Sequence, residues 1–215
     1  MNLVEITEKQ HNVYIDLAYA KINNFTGKKI YLQNKCFIHR DALPKLLAAI
    51  SIAQSIGYKF KIFDAYRPIE AQNILWDFCP DKNFITPPHI GSPHSRGIAI
   101  DLTLVRNNKK LDMGTKFDYL FQESHHGYKN ISKIAQKNRV ILLGIMTAAG
   151  WDYYENEWWH YQLHNSKNWP LIPKEEYEIL VSARFRVALL LFIACLLYTS
   201  DAADDTPCVD LGGRR

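Results

Sequence analysis

Hydrophobic residues recur at helical spacing in two long segments of the chain. Between Asp41 and Ile56, and again between Ser132 and Ala149, apolar side chains return every three or four positions, which is typical of one face of an α-helix. Gly57 and Gly150 follow these segments directly and are predicted to end the two helices. A third helix is predicted from Pro68 to about Phe78, because proline is favoured in the first helical turn.

The remaining apolar positions predict strands. Residues 13–31 are predicted to be extended, and residues 106–130 are polar and rich in turn-forming residues. Four further segments are predicted as strands, of which the last two form a closing hairpin: Lys59–Tyr66, Ile98–Leu104, Trp151–Tyr154 and Glu157–Leu163. Helices and strands mix without a regular βαβ alternation. The prediction is therefore an α+β single domain, with a small, mainly antiparallel sheet flanked by helices.

The composition is that of an ordinary folded domain. The chain has 215 residues, of which 47% are hydrophobic and 22% are charged, so disorder is not expected. The formal net charge of +4 is small, and the basic residues are scattered. Because no run of Lys and Arg could bind a series of phosphates, no nucleic-acid partner is expected.

The cysteines and the N-terminal segment give an expectation for the cellular compartment of the protein. The four cysteines form neither a CxxC pair nor a zinc-ribbon spacing, and they are too few to suggest a secreted disulfide framework: Cys36, Cys79, Cys195 and Cys208. The first 20 residues contain no basic stretch followed by an apolar one, so no signal peptide is predicted. We expect a cytoplasmic protein.

The character of the sequence changes at about Val181. An apolar run of 12 residues, 187–198, is too short to span a bilayer, which needs about 20. Residues 195–204 and 209–215, translated back into DNA, resemble a common transposase-type sequencing-library adapter and its adjoining primer. We predict that 1–180 is the domain and that 181–215 is non-native or unstructured. The alternative is a genuine apolar helix that acts as a membrane anchor.

A histidine and an aspartate bracket a turn and the start of a predicted strand. They are His94 and Asp101, within the segment SPHSRGIAID. On this strand Asp101 shares a face with the small or polar Ala99 and Thr103, so its carboxylate is predicted to face a cavity on the sheet. An imidazole nitrogen and a carboxylate oxygen both suit zinc.

A second cluster follows near the end of the chain, at Glu157 and His160 beside two tryptophans. A histidine that binds a metal and a glutamate that does not are together suited to metal-assisted hydrolysis, because the glutamate can take a proton from water. Residues three apart on an ideal strand face opposite ways. The pair therefore needs a bulge, a bend or a helical turn to converge.

An arginine at a strand-to-helix junction completes the set. Arg67 could bind a substrate carboxylate or stabilise an oxyanion. Taken singly, each feature is more often structural: a surface polar pair, core packing or a salt bridge at a helix start. Together, three metal ligands, a base and a cation suffice for amide hydrolysis. We interpret the adjacent His125 and His126 as structural or as supports for the site, because neighbouring side chains point apart.

Two motifs resemble the D-alanyl-D-alanine dipeptidases, the family that includes the dipeptidases of vancomycin resistance. They are SPHSRGIAIDLTL and NEWWHYQL, which keep the family's SxHxxGxAxD and ExxH signatures. The resemblance continues in YAKINNFTGKKIY, FDAYRPIEAQ, LDMGTKFD, SHHG and LLGIMTAAGW, in the family's order. It spans roughly Tyr14 to Pro173.

The resemblance implies a zinc metallopeptidase that cleaves the dipeptide D-Ala-D-Ala, with one zinc ion per chain in a cleft on the sheet. Its functional residues fall on metal ligands His94, Asp101 and His160, base Glu157, transition-state arginine Arg67, and substrate contacts Tyr19, Ser92 and Asp118. Asp118 is expected to hold the free ammonium of the dipeptide. Two departures, Pro93 beside the ligand and a shorter loop from Cys79 to Gly91, concern substrate affinity and access.

Two other functions remain open at this point. A related D-alanyl-D-alanine carboxypeptidase would trim longer peptidoglycan stems, but it needs an open site and usually export. A metal-binding module that has lost catalysis would lack the base or the arginine, and this sequence keeps both Glu157 and Arg67. The dipeptidase is therefore the preferred interpretation.

Overall fold

The computed structural model describes residues 1–182. The chain divides into two compact units, Met1–Lys174 and Glu175–Arg215. In the second unit, residues 175–182 are helical. The predicted non-native segment 181–215 lies almost entirely outside the described residues, so both this prediction and the boundary at residue 180 stay predictions.

The first unit holds the strands and helices that form the fold. The strands are Leu3–Ile6 (β1), Tyr14–Ile15 (β2), Cys36–His39 (β3), Lys59–Asp64 (β4), Ala99–Arg106 (β5), Lys109–Lys110 (β6), Asp152–Tyr154 (β7) and Glu157–Gln162 (β8). The α-helices are Glu8–His11 (α1), Leu43–Ser55 (α2), Ile69–Phe78 (α3) and Lys133–Ala148 (α4).

The strands form one large sheet and one small sheet. In the large sheet the order is β2-β4-β5-β8-β7, with β6 paired to β5, and β1 pairs with β3 in the small one. Every pairing is antiparallel except β2 with β4. The predicted α+β class with a mainly antiparallel sheet is confirmed.

The two long amphipathic helices form where their periodicity predicts them. Helix α2 buries Leu46, Ala49 and Ala53 completely, and α4 buries Leu142 and Met146 completely. The helices pack against each other and against the large sheet. Removing one such side chain, as in Leu142→Ala, costs about 2–5 kcal/mol of stability in comparable cores.

The first 40 residues differ from the prediction. The segment predicted as extended over 13–31 is a strand only at Tyr14–Ile15 and then forms a 3₁₀ turn at Ala18–Ala20. Strands β1 and β3 were not predicted. Each has four residues, and the pairing of Leu3 with His39 brings together positions far apart in sequence, which no local pattern reveals.

The interior of the first unit is aromatic on the side of β8. Trp151, Trp159 and Tyr161 are each at most 2% exposed.

Within the described part of the chain, no helix combines the length and the apolar character needed to cross a bilayer.

Candidate active site

A cleft on the large sheet brings the predicted functional residues together. Its cavity volume is about 220 Å³. All eight side chains singled out from the sequence lie around it: Tyr19, Arg67, Ser92, His94, Asp101, Asp118, Glu157 and His160. They come from six separate parts of the chain, and folding places them around one space of the size of a small ligand.

Three of these side chains form a compact donor cluster. The Nδ1 atom of His160 lies 3.0 Å from Oδ1 of Asp101, and Nε2 of His94 lies 3.3 Å from Oδ2 of Asp101. The two histidine nitrogens are 3.1 Å apart. The three residues are between 2% and 7% exposed, so water cannot easily take the place of their mutual contacts.

The sheet register explains why Asp101 and His160 lie next to each other. Asp101 on β5 stands directly opposite His160 on β8 in the antiparallel ladder, and directly opposed residues place their side chains on the same face a few ångströms apart. His94 comes from a short 3₁₀ turn, His94–Arg96, that leads into β5. Gly97 ends this turn with φ 69°, a backbone conformation that glycine adopts without strain.

An irregularity in the β7–β8 hairpin brings Glu157 towards His160. Tyr153 pairs with Tyr161, but the next residue, Tyr154, pairs with Glu157, so the register shifts between them. One carboxylate oxygen of Glu157 then lies 3.8 Å from Nδ1 of His160. Two residues three apart on a strand need a bulge or bend to converge, and this register shift is such an irregularity.

Arg67 is held rigidly by its neighbours. Its Nε donates to Oδ2 of Asp64 at 2.9 Å, and Nη1 donates to Gln72 at 2.9 Å. The Nη2 atom forms an ion pair with the same Asp64 oxygen at 2.7 Å. Nη2 also lies 3.8 Å from Asp101, and the guanidinium stacks over the ring of Tyr19 at 5.1 Å. The arginine therefore presents a fixed positive charge beside the donor cluster.

Asp118 is buried with part of its hydrogen-bonding capacity unused. Tyr19 donates its hydroxyl to Oδ1 of Asp118 at 3.2 Å. Among residues 1–182, Oδ2 is buried and has no hydrogen-bond partner. Burial, with a further contribution from the charge of Asp101, raises the pKa of Asp118 well above its usual value. A cationic ligand group would supply the missing partner.

Ser92 is the last of the predicted contacts. Its Oγ accepts the backbone N–H of His94 at 3.2 Å. The residue is 3% exposed and lines the cleft. Because the oxygen is the acceptor in this bond, its own hydroxyl hydrogen remains available to a ligand.

Burial and charge together shift the pKa values in the cluster. Burial alone would raise the pKa of Asp101, but the positive charges and hydrogen bonds of His94 and His160 outweigh it and hold that pKa well below the usual range. Burial raises the pKa of Glu157 to about 8, and Asp101 adds to the effect while His160 and Arg67 oppose it. A bound cation would favour the ionised form of the glutamate.

The donor set fits a zinc ion. For tetrahedral zinc with Zn–N and Zn–O bonds of about 2.0–2.2 Å, ligand atoms are separated by roughly 3.3–3.5 Å. The two histidine nitrogens are 3.1 Å apart, and each lies close to one oxygen of Asp101, at 3.0 Å from Oδ1 and 3.3 Å from Oδ2. These separations are near the tetrahedral values. Nδ1 of His94 donates to the carbonyl of Ala65 at 2.7 Å. That hydrogen bond leaves the lone pair of Nε2 directed into the cluster.

Several cleft residues were not singled out from the sequence. They are the supports Asp64 and Gln72 and the lining residues Tyr154 and Gln162. Asp64 stands three residues before Arg67, but only the register shift between Ile62 and Asp64 turns it towards the arginine. Strand alternation could have indicated Gln162 as a residue of the cleft, because it lies two positions after His160 and therefore on the same strand face.

The remaining sequence features lie around the cleft in different ways. Pro93 lines it, and the loop between Cys79 and Gly91 contributes Phe84 and Ile85 to its wall. His126 packs edge-on against the rings of Tyr153 and Tyr161, outside the residues that line the cleft.

The sequence of the chain matches a known protein family and several of its members. The family model described as D-Ala-D-Ala dipeptidase matches residues 1–179. The D-alanyl-D-alanine dipeptidase of Escherichia coli K12 is 43% identical over 171 residues, which are 79% of this chain and 89% of that protein. Those of Enterococcus faecium and Enterococcus faecalis V583 are 35% and 33% identical, with 74% of this chain and 90% and 89% of the relatives covered.

These matches show both the class of protein and the family to which the chain belongs. The chain is a hydrolase that belongs among the metallopeptidases. Within that class it belongs to the D-Ala-D-Ala dipeptidase family, because the family model covers most of the chain.

Proposed function

We propose that the protein hydrolyses D-alanyl-D-alanine to two molecules of D-alanine with one zinc ion per chain, held by His94, Asp101 and His160. The observation that carries this proposal is the buried cluster of two histidine nitrogens and the Asp101 carboxylate, with contacts of 3.0–3.3 Å between them and a glutamate beside it. The relatives that carry the dipeptidase name support the same substrate. Three protein ligands leave a fourth position free, as a catalytic zinc site requires.

Glu157 is the proposed general base. When bound, zinc polarises the scissile carbonyl and makes a water molecule more acidic. Glu157 accepts the proton of the attacking water and then delivers it to the nitrogen of the leaving D-alanine, which leaves as an amine. Glu157 is 6% exposed, and Trp159, which also lines the cleft, is 1% exposed, so little bulk water reaches this carboxylate.

Arg67 is proposed to stabilise the negative charge that develops on the carbonyl oxygen. Its two hydrogen bonds and its ion pair with Asp64 and Gln72 fix the guanidinium plane. Since guanidinium carries five N–H groups and the two hydrogen bonds use only those of Nε and one of Nη1, further N–H groups remain for substrate. A donor that is already oriented needs no rearrangement as the charge develops, and this is the main source of such stabilisation.

Asp118 is proposed to bind the free ammonium of the dipeptide. An ammonium group would pair with the buried oxygen that has no partner in the described structure, while Tyr19 holds the other oxygen in place. Ser92 would donate its hydroxyl to the substrate. An acylated amine carries no positive charge, so this arrangement selects dipeptides over the ends of longer peptides.

We propose a cytoplasmic enzyme whose partner is the dipeptide itself, with neither nucleic acid nor membrane involved. The scattered basic residues and the few cysteines, none of them in a CxxC pair, support this setting.

Separating the metal ligand from the base tests the proposed function. Purified protein is expected to release D-alanine from D-Ala-D-Ala, to stop when a chelator removes the metal, and to recover with zinc. Glu157→Ala should keep its zinc and lose about 10²–10⁴-fold in kcat, the usual contribution of base catalysis. His160→Ala should lose the zinc itself. A Glu157→Ala protein without zinc in elemental analysis would show that ligand and base are assigned wrongly.

A further inference from the structure

The ring of His160 has two nitrogens, and both have partners. Nδ1 faces the donor cluster, and Nε2 lies 3.1 Å from Oε1 of Gln162. Gln162 is two residues further along β8, so both side chains leave the same face of the strand. A histidine that uses Nδ1 towards the cluster points Nε2 away from it, and here Nε2 meets the glutamine.

His94 shows the opposite use of the same ring. Its Nε2 faces the cluster, while its Nδ1 donates to the carbonyl oxygen of Ala65. Each ring thus turns one nitrogen inward and one outward towards an oxygen atom. For His94 that oxygen belongs to the backbone and cannot be removed by substitution. For His160 it belongs to a side chain, so its contribution can be tested.

The side-chain amide of Gln162 places its oxygen against the ring of His160. Its Nε2 lies 3.5 Å from Oγ of Ser166, on the other side of the side chain. The acceptor towards His160 is therefore neutral. With Asp101 and Glu157 already beside His160, an amide orients the ring without adding a third negative charge.

We propose that Gln162 is a positioning residue that selects the metal-binding tautomer of His160. By accepting a hydrogen bond from the N–H of Nε2, it leaves the lone pair of Nδ1 free for the metal, and it fixes the rotation of the ring. The inference rests on the proposed metal site and adds to it a residue that acts on the metal through His160. Partners of this kind typically contribute 10–100-fold to metal affinity.

Two substitutions at one position separate hydrogen bonding from side-chain bulk. Gln162→Met keeps the length of the side chain but removes the acceptor, and Gln162→Glu restores an acceptor. The zinc affinity of the full-length protein, measured by competition with a chromogenic chelator, should fall about 10–100-fold in Gln162→Met. In Gln162→Glu it should stay within a few-fold of the wild-type value or be tighter.

A control variant on the neighbouring strand accounts for general disturbance of the sheet. Thr103 on β5 is 2% exposed, does not line the cleft, and has a hydroxyl without a hydrogen-bond partner in the described part of the chain. Thr103→Val should leave zinc affinity unchanged. If it lowers affinity as much as Gln162→Met, the loss reflects sheet packing and the inference is wrong.

Nitrogen NMR of the zinc-loaded protein reads the tautomer directly. In the wild type, His160 should carry its proton on Nε2 and bind zinc through Nδ1. A wild-type spectrum with the proton on Nδ1, or equal zinc affinities in wild type and Gln162→Met, would overturn the inference while leaving the dipeptidase proposal intact. Failure of the wild-type protein to bind zinc at all would instead overturn the proposed metal site, and this inference with it.

Discussion

Two buried aspartates near the cleft show how differently the same side chain can be used. Behind Arg67, both oxygens of Asp64 are paired: Tyr31 donates to Oδ1 at 2.6 Å, and the arginine donates to Oδ2 through Nε and forms an ion pair with it through Nη2. On the cleft wall, Asp118 receives a single bond from Tyr19, and its second oxygen has no partner among the described residues.

The difference separates structural support from capacity to bind. A fully paired carboxylate fixes the geometry of its partners, and here it holds the arginine that we propose stabilises the oxyanion. A half-paired, buried carboxylate is costly to the fold, because desolvation disfavours its charged form. That cost is offset when a cationic ligand arrives. The comparison therefore assigns positioning to Asp64 and substrate recognition to Asp118.

Removing Arg67 should disrupt the contacts around Asp64 and have the largest effect on activity and stability. Arg67→Met is expected to lower kcat about 10²–10³-fold, the effect of losing one oxyanion donor. It also leaves the charge of Asp64 buried without its counter-ion, which costs about 3–5 kcal/mol of stability. Enzyme kinetics and urea denaturation measure the two effects separately.

A second change at Asp64 distinguishes the two roles of the arginine. In the double variant Arg67→Met with Asp64→Asn, the buried charge is gone, so much of the lost stability should return while activity stays low. Recovery of activity in the double variant would mean that the arginine acts only as a structural partner.

Removing the charge of Asp118 should affect substrate recognition more than catalysis. Asp118→Asn is expected to lower kcat/KM for D-Ala-D-Ala about 10–100-fold, mainly through KM, since a hydrogen bond to a charged group contributes about 1.5–3 kcal/mol. Zinc content should be unchanged. An unaltered KM in steady-state kinetics would remove Asp118 from the binding site.

The same variant should have the opposite effect on stability. Because the pKa of Asp118 is raised in the folded state, the folded protein holds its proton more tightly than the unfolded chain. The wild type therefore loses this contribution as pH rises through the folded-state pKa. Asp118→Asn should be more stable than the wild type at neutral pH, and the difference should vanish in acid. Denaturation curves at several pH values give the difference, and a less stable variant at neutral pH contradicts it.

The sequence predicted the parts of the site that depend on short spacing. Helices α2 and α4 follow from apolar periodicity, and Asp101 was placed on the polar face of its strand by alternation. The direct pairing of Asp101 with His160 depends on strand register between distant segments, which spacing alone does not determine. The convergence of Glu157 and His160 depends on a register shift in the β7–β8 hairpin. The spacing of the two residues indicated that such an irregularity was needed, but not where in the hairpin it lies.

The supporting residues were harder to predict for the same reason. The bond between Asp64 and Arg67 depends on an irregularity in β4, and the donation from Tyr31 joins residues 33 positions apart. Contacts of this kind carry no local signature. The family resemblance, in contrast, indicated Tyr19, Ser92 and Asp118, and the structure places all three on the cleft wall.

The ratio of kcat/KM for D-Ala-D-Ala to that for N-acetyl-D-Ala-D-Ala tests the central claim most directly, because the two substrates differ at the group that Asp118 is proposed to bind. The account predicts a strong preference for the free dipeptide in the wild type, and a much smaller preference in Asp118→Asn. Equal rates on the two substrates in the wild type would contradict the dipeptidase proposal and favour a carboxypeptidase that acts on longer stem peptides.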